Sequence, residues 1–513
     1  MFVTQHSEMK FCNFLIFPIL TSAVSLASAA IELPSFFSDG MVLQQQGQAK
    51  IWGWLDGQGE VTVSFAGQSE SAKTNQEGRW EVSFVGLKAS SEGRELTISD
   101  GEENKVLKDV LVGEVWIASG QSNMEWTVDR AYNPEEEVAR SKDPLLRVYL
   151  SPNVSQAEPQ IDFRGTWTAA SPATTGKMTA VGYYFARKLR AELEVPVGII
   201  ECAWGGKPVE SFVSEEALAK LPEAKVVIDK KKRAIANWDE AKAKASLEAK
   251  IAKWEEKGKK GRKPQMQVEP RLHSSLHSTI FNGMIAPIAG YGARGAIWYQ
   301  GESNANGGTA SIYEELLGCL VDDWRERWGT ELSFYYVQLA NYRKVTTEPG
   351  VESDWVVVQD EMRRALDSIE RSGMAVTNDI GAANNIHPTN KQDVGLRLAR
   401  WALGQDYGRE EVVMSGPLFQ KAVKKDGRMI LSFEHNAGLK AREGGELKRF
   451  EIKAKKGTWI WAQAQIKDGK VIVWSDKIAD PVAVRYAWAE NPEGANLVNS
   501  ENLPASCFTT EKQ

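Results

Sequence analysis

Between residues 109 and 405, short apolar runs alternate with amphipathic stretches. Val110–Ala118, Val197–Ala203, Gly295–Tyr299, Leu332–Leu339 and Met374–Thr377 are almost continuously apolar, the pattern of strands buried on both faces. Met178–Leu193, Ile312–Trp328 and Lys391–Leu403 place apolar residues three and four apart, which predicts helices. Strands alternating with helices predict βαβ units and a parallel sheet. The flanks have a different texture. Ala49–Trp54, Val61–Phe65, Trp80–Phe84 and Glu95–Ile98 are short alternating runs separated by Gly, Asp and Asn, as in a β-sandwich. Met429–Phe433, Phe450–Ile452, Trp459–Ala462, Val471–Trp474 and Val482–Tyr486 repeat that texture near the C-terminus. The expected organisation is an N-terminal β domain at 30–108, an α/β core at 109–405 and a C-terminal β domain at 406–513. Residues 215–267, rich in Lys, Ala and Glu, read as a charged helical insertion in the core with a solvated face.

Three core strands run into small polar turns: Ser119-Gly120-Gln121-Ser122-Asn123, Trp204-Gly205-Gly206 and Gln300-Gly301-Glu302-Ser303-Asn304. In open α/β sheets the carboxyl ends of the strands carry the site. A serine on a tight strand-to-helix turn is a mount for a nucleophile, although the G-x-S-x-G elbow itself is absent here.

Composition narrows the partners. The chain has 513 residues, 25% charged and 42% hydrophobic, with a net charge of −6, so nucleic acid is not the expected partner. Residues 1–29 read as a secretion signal, with Met9-Lys10, the apolar run Phe11–Leu26 and the small-residue stretch Ala27-Ser28-Ala29. Export to a secreted or periplasmic location is expected, with no membrane contact after cleavage. Cys12 would leave with the signal. Cys202, Cys319 and Cys507 form neither a disulfide scaffold nor a CxxC cluster.

Histidine is scarce, and that permits elimination. His6 falls in the signal and His435 in the C-terminal β region. His273 and His277 have an i,i+4 spacing but lack the Glu of HExxH, so no metal site is expected. His387 lies on the loop after the last core strand, on the same rim as Ser122. A serine needs an adjacent base to attack an ester, and His387 is the best placed. The tetrahedral oxyanion of acyl transfer needs preorganised donors. The amides of Gly205-Gly206 and the side chains of Gln300 and Asn304 are candidates.

These blocks resemble the SGNH hydrolase superfamily, and more closely its sialate O-acetylesterase family of secreted carbohydrate acetylesterases. The resemblance is carried by Gly120–Met124 (GQSNM), Trp204–Ser211 (WGGKPVES), Phe281–Pro287 (FNGMIAP), Trp298–Asn304 (WYQGESN) and Ile386–Gln392 (IHPTNKQ), with PSFFSDGMVLQ at 34–44 and YAWAENP at 486–492 in the flanks. It implies a flavodoxin-like SGNH core and a cofactor-free O-deacetylase acting on an acetylated carbohydrate. Ser122 would be the nucleophile and His387 the base. The amides of Ser122 and Gly206, with Gln300 or Asn304, would line the oxyanion hole.

The third catalytic member departs from the family pattern. Many SGNH enzymes carry Asp three residues before the histidine, where this chain has Asn384. A neutral amide cannot stabilise an imidazolium as a carboxylate does. Glu302, the position related carbohydrate esterases use, and Asp379, at the end of the last strand, are both candidates, with Glu302 preferred. The sugar is left open between sialic acid and acetylxylan or another plant or algal glycan. A carbohydrate-binding protein without activity is the alternative from another class.

Overall fold

A computed structural model describes residues 30–511. The expected signal segment, with His6 and Cys12, lies outside the described residues. The core is a sheet whose strands are β1 (Asn104–Gly120), β2 (Asp143–Leu150), β3 (Thr166–Ala170), β4 (Val197–Ala203), β5 (Gly295–Tyr299), β6 (Ser333–Val337) and β7 (Ser372–Ala375). Their order across the sheet is β3-β2-β4-β1-β5-β6-β7. All neighbours are parallel except β3, which runs antiparallel to β2 at the edge. The run β4-β1-β5-β6-β7 is the 2-1-3-4-5 order of doubly wound sheets, whose direction of winding reverses between β1 and β5. Ligand crevices form at that reversal, because the crossovers on its two sides depart to opposite faces.

The helices include α1 (Ser122–Glu125), α2 (Ala180–Leu193), α3 (Lys225–Ala236), α4 (Glu240–Glu256), α5 (Glu302–Ala305), α6 (Tyr313–Trp328), α7 (Asp354–Ser368) and α8 (Lys391–Gln405), with two shorter ones at Pro134–Ala139 and Glu215–Lys220. Local chemistry sets their ends. The Thr179 side chain caps α2 by accepting from the Gly182 N–H, and Gly329 closes α6 in a left-handed conformation. Helices α3 and α4 form the charged insertion; only Val227, Lys231 and Ala243 of these two helices are buried.

The strands β2 and β3 and the helix α7 escape the sequence reading. Helix α7 carries the β-branched run Val356–Val358 in its first turn, yet it buries Trp355, Val358, Met362 and Ala365 at helical spacing.

Strand β1 is longer than its apolar part. Its mostly exposed start pairs with Ser90–Ser99 of the N-terminal β region, its buried residues Leu111–Gly113 pair with Val42–Gln44, and its buried second half lies between β4 and β5. A single strand therefore crosses residue 108, and one hydrophobic cluster joins Val61, Trp80 and Phe84 of the N-terminal region to Trp116, Trp298 and Trp324 of the core. Beyond α8, two four-stranded sheets enclose a second cluster around Leu431, Ile452, Val473 and Phe508. Cys202, Cys319 and Cys507 are free. No described helix is long and apolar enough to cross a membrane.

Candidate active site

The turn after β1 needs a glycine. Gly120 has φ +134°, and a Cβ there would sit 2.3 Å from the Tyr299 carbonyl oxygen on β5. With hydrogen alone at that position, β1 and β5 stay in register to their ends, and the Gln121 N–H donates to the same carbonyl at 2.9 Å. The chain then enters α1, whose first residue is Ser122. The opening N–H groups of a helix have no partner within it, so Ser122 carries an unused amide beside its hydroxyl.

Across the rim, Ser122 Oγ lies 2.8 Å from His387 Nε2. The histidine sits on the loop that leads into α8 and is held from three sides. Its backbone N–H donates to Asn385 Oδ1 at 2.9 Å, and its ring stacks on Trp126 at 4.8 Å and 18°. Asn123 Nδ2 donates to the preceding carbonyl, that of Ile386, at 3.0 Å. Burial, and then the cations of Lys391 and Arg130, hold the imidazole below its usual pKa, so it stands neutral and able to accept a proton.

The two candidate carboxylates separate. Glu302 opens α5, is buried, and lines the same cleft as Ser122 and His387. Its Oε1 accepts from Asn123 Nδ2 at 2.5 Å, while Oε2 has no hydrogen-bond partner. Burial raises its pKa against the opposing pull of its own backbone amide, Asn123 and Lys391. Asp379 is engaged elsewhere. Its oxygens accept from Arg397 at 2.6 and 3.0 Å and from Arg442 at 2.8 Å, in a different cleft beside Asn341. Burial alone would raise its pKa, but the two guanidinium groups outweigh that and hold it below the usual carboxylate range. The expectation that Asp379 backs His387 is therefore corrected: both its oxygens serve a structural ion pair. Asn384 is exposed and makes no side-chain hydrogen bond.

The oxyanion side also changes. Gln300 Nε2 contacts Gln121 Oε1, the Lys207 carbonyl and Asn304 Oδ1 at 2.7–3.1 Å, and its Oε1 accepts from Tyr313. Asn304 Nδ2 donates to Glu210 and Thr309, and its Oδ1 accepts from the Val209 N–H. Both amides are buried and fully occupied, and neither lines the cleft. They tie the turn after β4 to the turn after β5 instead of offering a free donor, which corrects their expected role.

Gly206 does line the cleft. It has φ +71°, and no atom lies within 4 Å of where its Cβ would be. Its neighbour Gly205 packs so closely that a Cβ would lie 3.1 Å from the Ser122 Cβ, and the Gly205 N–H donates to Glu125 at 2.8 Å. Ser122 and Gly206 both line the cleft, and no hydrogen bond of either backbone N–H is found among the described residues.

The cleft holds about 590 Å³, room for a sugar and its substituents. Lys230, from α3 of the insertion, lines it together with Ser275, and Lys207 donates to Ser275 at 3.3 Å. The insertion therefore reaches the site. His277 is buried against Ser278, and burial pulls its pKa down to about 4, whereas His273 accepts from the Ser275 N–H. His435 packs edge-on against Trp401 in the C-terminal region. Asn123, Lys391 and Trp126 are parts of the site to which sequence reasoning assigned no role. One signal was present: Lys391 puts a cation at a helix N-terminus, where the dipole disfavours it.

Comparison with known proteins gives a consistent result. The family model described as "carbohydrate esterase, sialic acid-specific acetylesterase" matches residues 112–260 and 245–403. The sialate O-acetylesterase of Rattus norvegicus is 26% identical over 529 residues, covering 94% of this chain and 95% of that one. That of Homo sapiens is 26% identical over 517 residues, with 93% and 91% covered. The crystal structure of a carbohydrate acetylesterase from Xanthomonas citri superposes with a TM-score of 0.80 at 33% identity, covering 94% of this chain and all of the other.

Proposed function

The chain belongs to the sialic acid-specific acetylesterase family of carbohydrate esterases and is a carboxylic ester hydrolase; from that premise we propose that it removes O-acetyl groups from acidic sugars, sialic acid first among them, by a Ser122–His387 acyl-enzyme mechanism. The observation that carries this reading is the 2.8 Å contact between Ser122 Oγ and His387 Nε2 on the wall of an open cleft. The strand order, with the serine at the winding reversal, supports an SGNH core at 109–405, joined through β1 and a shared hydrophobic cluster to the β region at 30–108 and followed by the β region at 406–513. Export, argued from residues 1–29, completes the proposal.

In the first half-reaction His387 takes the Ser122 proton as Oγ attacks the acetyl carbonyl. The oxyanion that forms is met by the amides of Ser122 and Gly206, donors already in place before charge develops. The imidazolium returns its proton to the departing sugar oxygen. Water, deprotonated by His387, then attacks the acetyl carbon, and the imidazolium returns that proton to Ser122 Oγ as acetate leaves. Glu302 supplies the negative charge that stabilises the imidazolium through both halves.

The substrate side is argued from two lysines. Lys230 lines the cleft and Lys207 reaches its wall through Ser275, and neither forms an ion pair among the described residues. The other carboxyl on the wall, Glu210, is bonded to Asn304 and is pushed by burial toward its protonated form. Unpaired cations around a partly enclosed cleft favour a sugar that carries its own carboxylate over a neutral xylan unit. Lys230→Ala and Lys207→Ala are each expected to raise KM for O-acetyl sialic acid about tenfold, the loss of about 1.4 kcal/mol of charge-assisted binding. KM for a small neutral acetyl ester should stay within about twofold. Steady-state kinetics on both substrates checks this, and equal changes on the two would exclude the acidic-sugar reading.

A further inference from the structure

Behind the Ser122–His387 pair lies a second layer of polar groups, all buried. Lys391 Nζ donates to Asn123 Oδ1. The Asn123 amide nitrogen donates in turn to Glu302 Oε1 at 2.5 Å and to the Ile386 carbonyl at 3.0 Å. Asn123, Glu302 and Lys391 are at most 3% exposed. Three strand ends meet in this one amide: it follows Ser122 on α1, and it binds the first residue of α5 and the residue before His387.

We propose that Lys391 and Asn123 are positioning residues for the ester hydrolysis: Lys391 orients the Asn123 amide, and that amide fixes the His387 loop and Glu302 relative to Ser122. The chemistry of the groups dictates the direction. In its charged form the Lys391 ammonium has three donors and no acceptor, so it is the oxygen of Asn123 that faces it, as the contact shows. Both amide hydrogens are then turned toward the two acceptors, Glu302 and the Ile386 carbonyl. An asparagine without that constraint could flip and leave two carbonyl-type oxygens facing each other.

The lysine has no other explanation in the fold. It occupies the first position of α8, where the helix dipole opposes a cation, and it makes no ion pair among the described residues. The rings of Tyr299 and Trp126 lie 5.3 and 5.9 Å from its Nζ. Burial pulls its pKa down to about 7, with Glu302 acting against the shift. A residue that breaks two local rules is maintained by the site it serves.

The proposal rests on the serine mechanism, and the test separates the two. Lys391→Met keeps the length and the apolar stem of the side chain. It is expected to fold, to lower kcat on a small acetyl ester between about tenfold and a hundredfold, and to leave KM within about twofold, the signature of displaced catalytic groups and an intact cleft. The pH profile adds a readout that mere destabilisation would not move. The charged groups around His387 are Lys391 at the start of α8, Arg130 beside Trp126, and Glu302, Glu210 and Lys230 lining the cleft. Lys391 and Arg130 hold the imidazole pKa down after burial. Removing the lysine charge therefore raises it, and the acid limb of kcat/KM should move to higher pH.

If Lys391→Met does not fold, Asn123→Ala, which retains the lysine, takes its place with the same expected loss of kcat. Wild-type kcat in the folded variant, with an unmoved acid limb, would overturn the proposal. Ser122→Ala is assayed alongside: if it is inactive while Lys391→Met is unaffected, only the positioning role falls, whereas an active Ser122→Ala would bring down the serine mechanism itself.

Discussion

Ser122→Ala is expected to lower the rate of acetate release by about a thousandfold or more while leaving the melting temperature unchanged. The size follows from the role. Without Oγ there is no atom for His387 to activate, and removal of a nucleophile from a serine–histidine pair costs at least about 10³ in kcat even when the oxyanion donors survive. The unchanged stability follows from the structure, because the hydroxyl's one hydrogen bond is to His387 and its residue is half-buried. A pH-stat assay with an acetylated sugar, paired with thermal melting, measures both. Activity within about tenfold of wild type would remove Ser122 from the mechanism.

The second large effect is a contrast between two carboxylates. Glu302→Gln preserves shape and still presents an oxygen to Asn123, but it removes the carboxylate that is proposed to stabilise the imidazolium. A fall in kcat of about a hundredfold or more is expected, with no loss of stability, since a buried carboxylate costs more to desolvate than an amide. Asp379→Asn should do the reverse. Its kcat should stay within about twofold, because both oxygens are held by Arg397 and Arg442 in another cleft. Its stability should fall by about 2–4 kcal/mol, the cost of leaving two guanidinium groups without their shared partner, reduced because Arg442 is about a third exposed.

Acid titration gives the same contrast with a sign. The Asp379 pKa is depressed in the fold below the ordinary aspartate value, so its contribution to stability is present above that value and is lost as pH falls through the folded one. Asp379→Asn should therefore flatten the acid end of the stability curve. Denaturant melts across pH, run with steady-state kinetics, decide the assignment. A large kcat loss in Asp379→Asn with none in Glu302→Gln would reverse it.

What the sequence made legible, and what it hid, follows one division. Ser122 and His387 could be found because their signals are local: a Gly-containing turn after an apolar run, and a scarcity of histidine that left one base on the right rim. The family blocks carried the enzyme class, and the comparisons bear that out. The choice of acid was not local. Glu302 and Asp379 each follow a core strand, and they differ only in what lies opposite. The partners that engage Asp379 are Arg397, 18 residues on in α8, and Arg442, 63 residues away in the C-terminal β region.

The same holds for Gln300 and Asn304. They look like free donors until Gln121, Tyr313, Glu210 and Thr309 are seen to occupy them. Strand β1 was read only from Val110 because its first half is exposed and pairs at the edge with Ser90–Ser99, so its polar residues lack the buried-strand pattern. Helix α7 was missed because three consecutive valines, Val356–Val358, imitate a strand, whereas its true period of three to four is carried by Trp355, Met362 and Ala365.

The central claim is that the acetyl group passes through Ser122. It is tested most directly by mixing the protein with an O-acetylated substrate, quenching in acid within the first turnovers, and mapping the digested peptides by mass. One acetyl group on the peptide containing Ser122, absent from Ser122→Ala treated in the same way, is the expected result. Steady release of acetate with no acetylated peptide at any time, or with the acetyl group on a different residue, would contradict it.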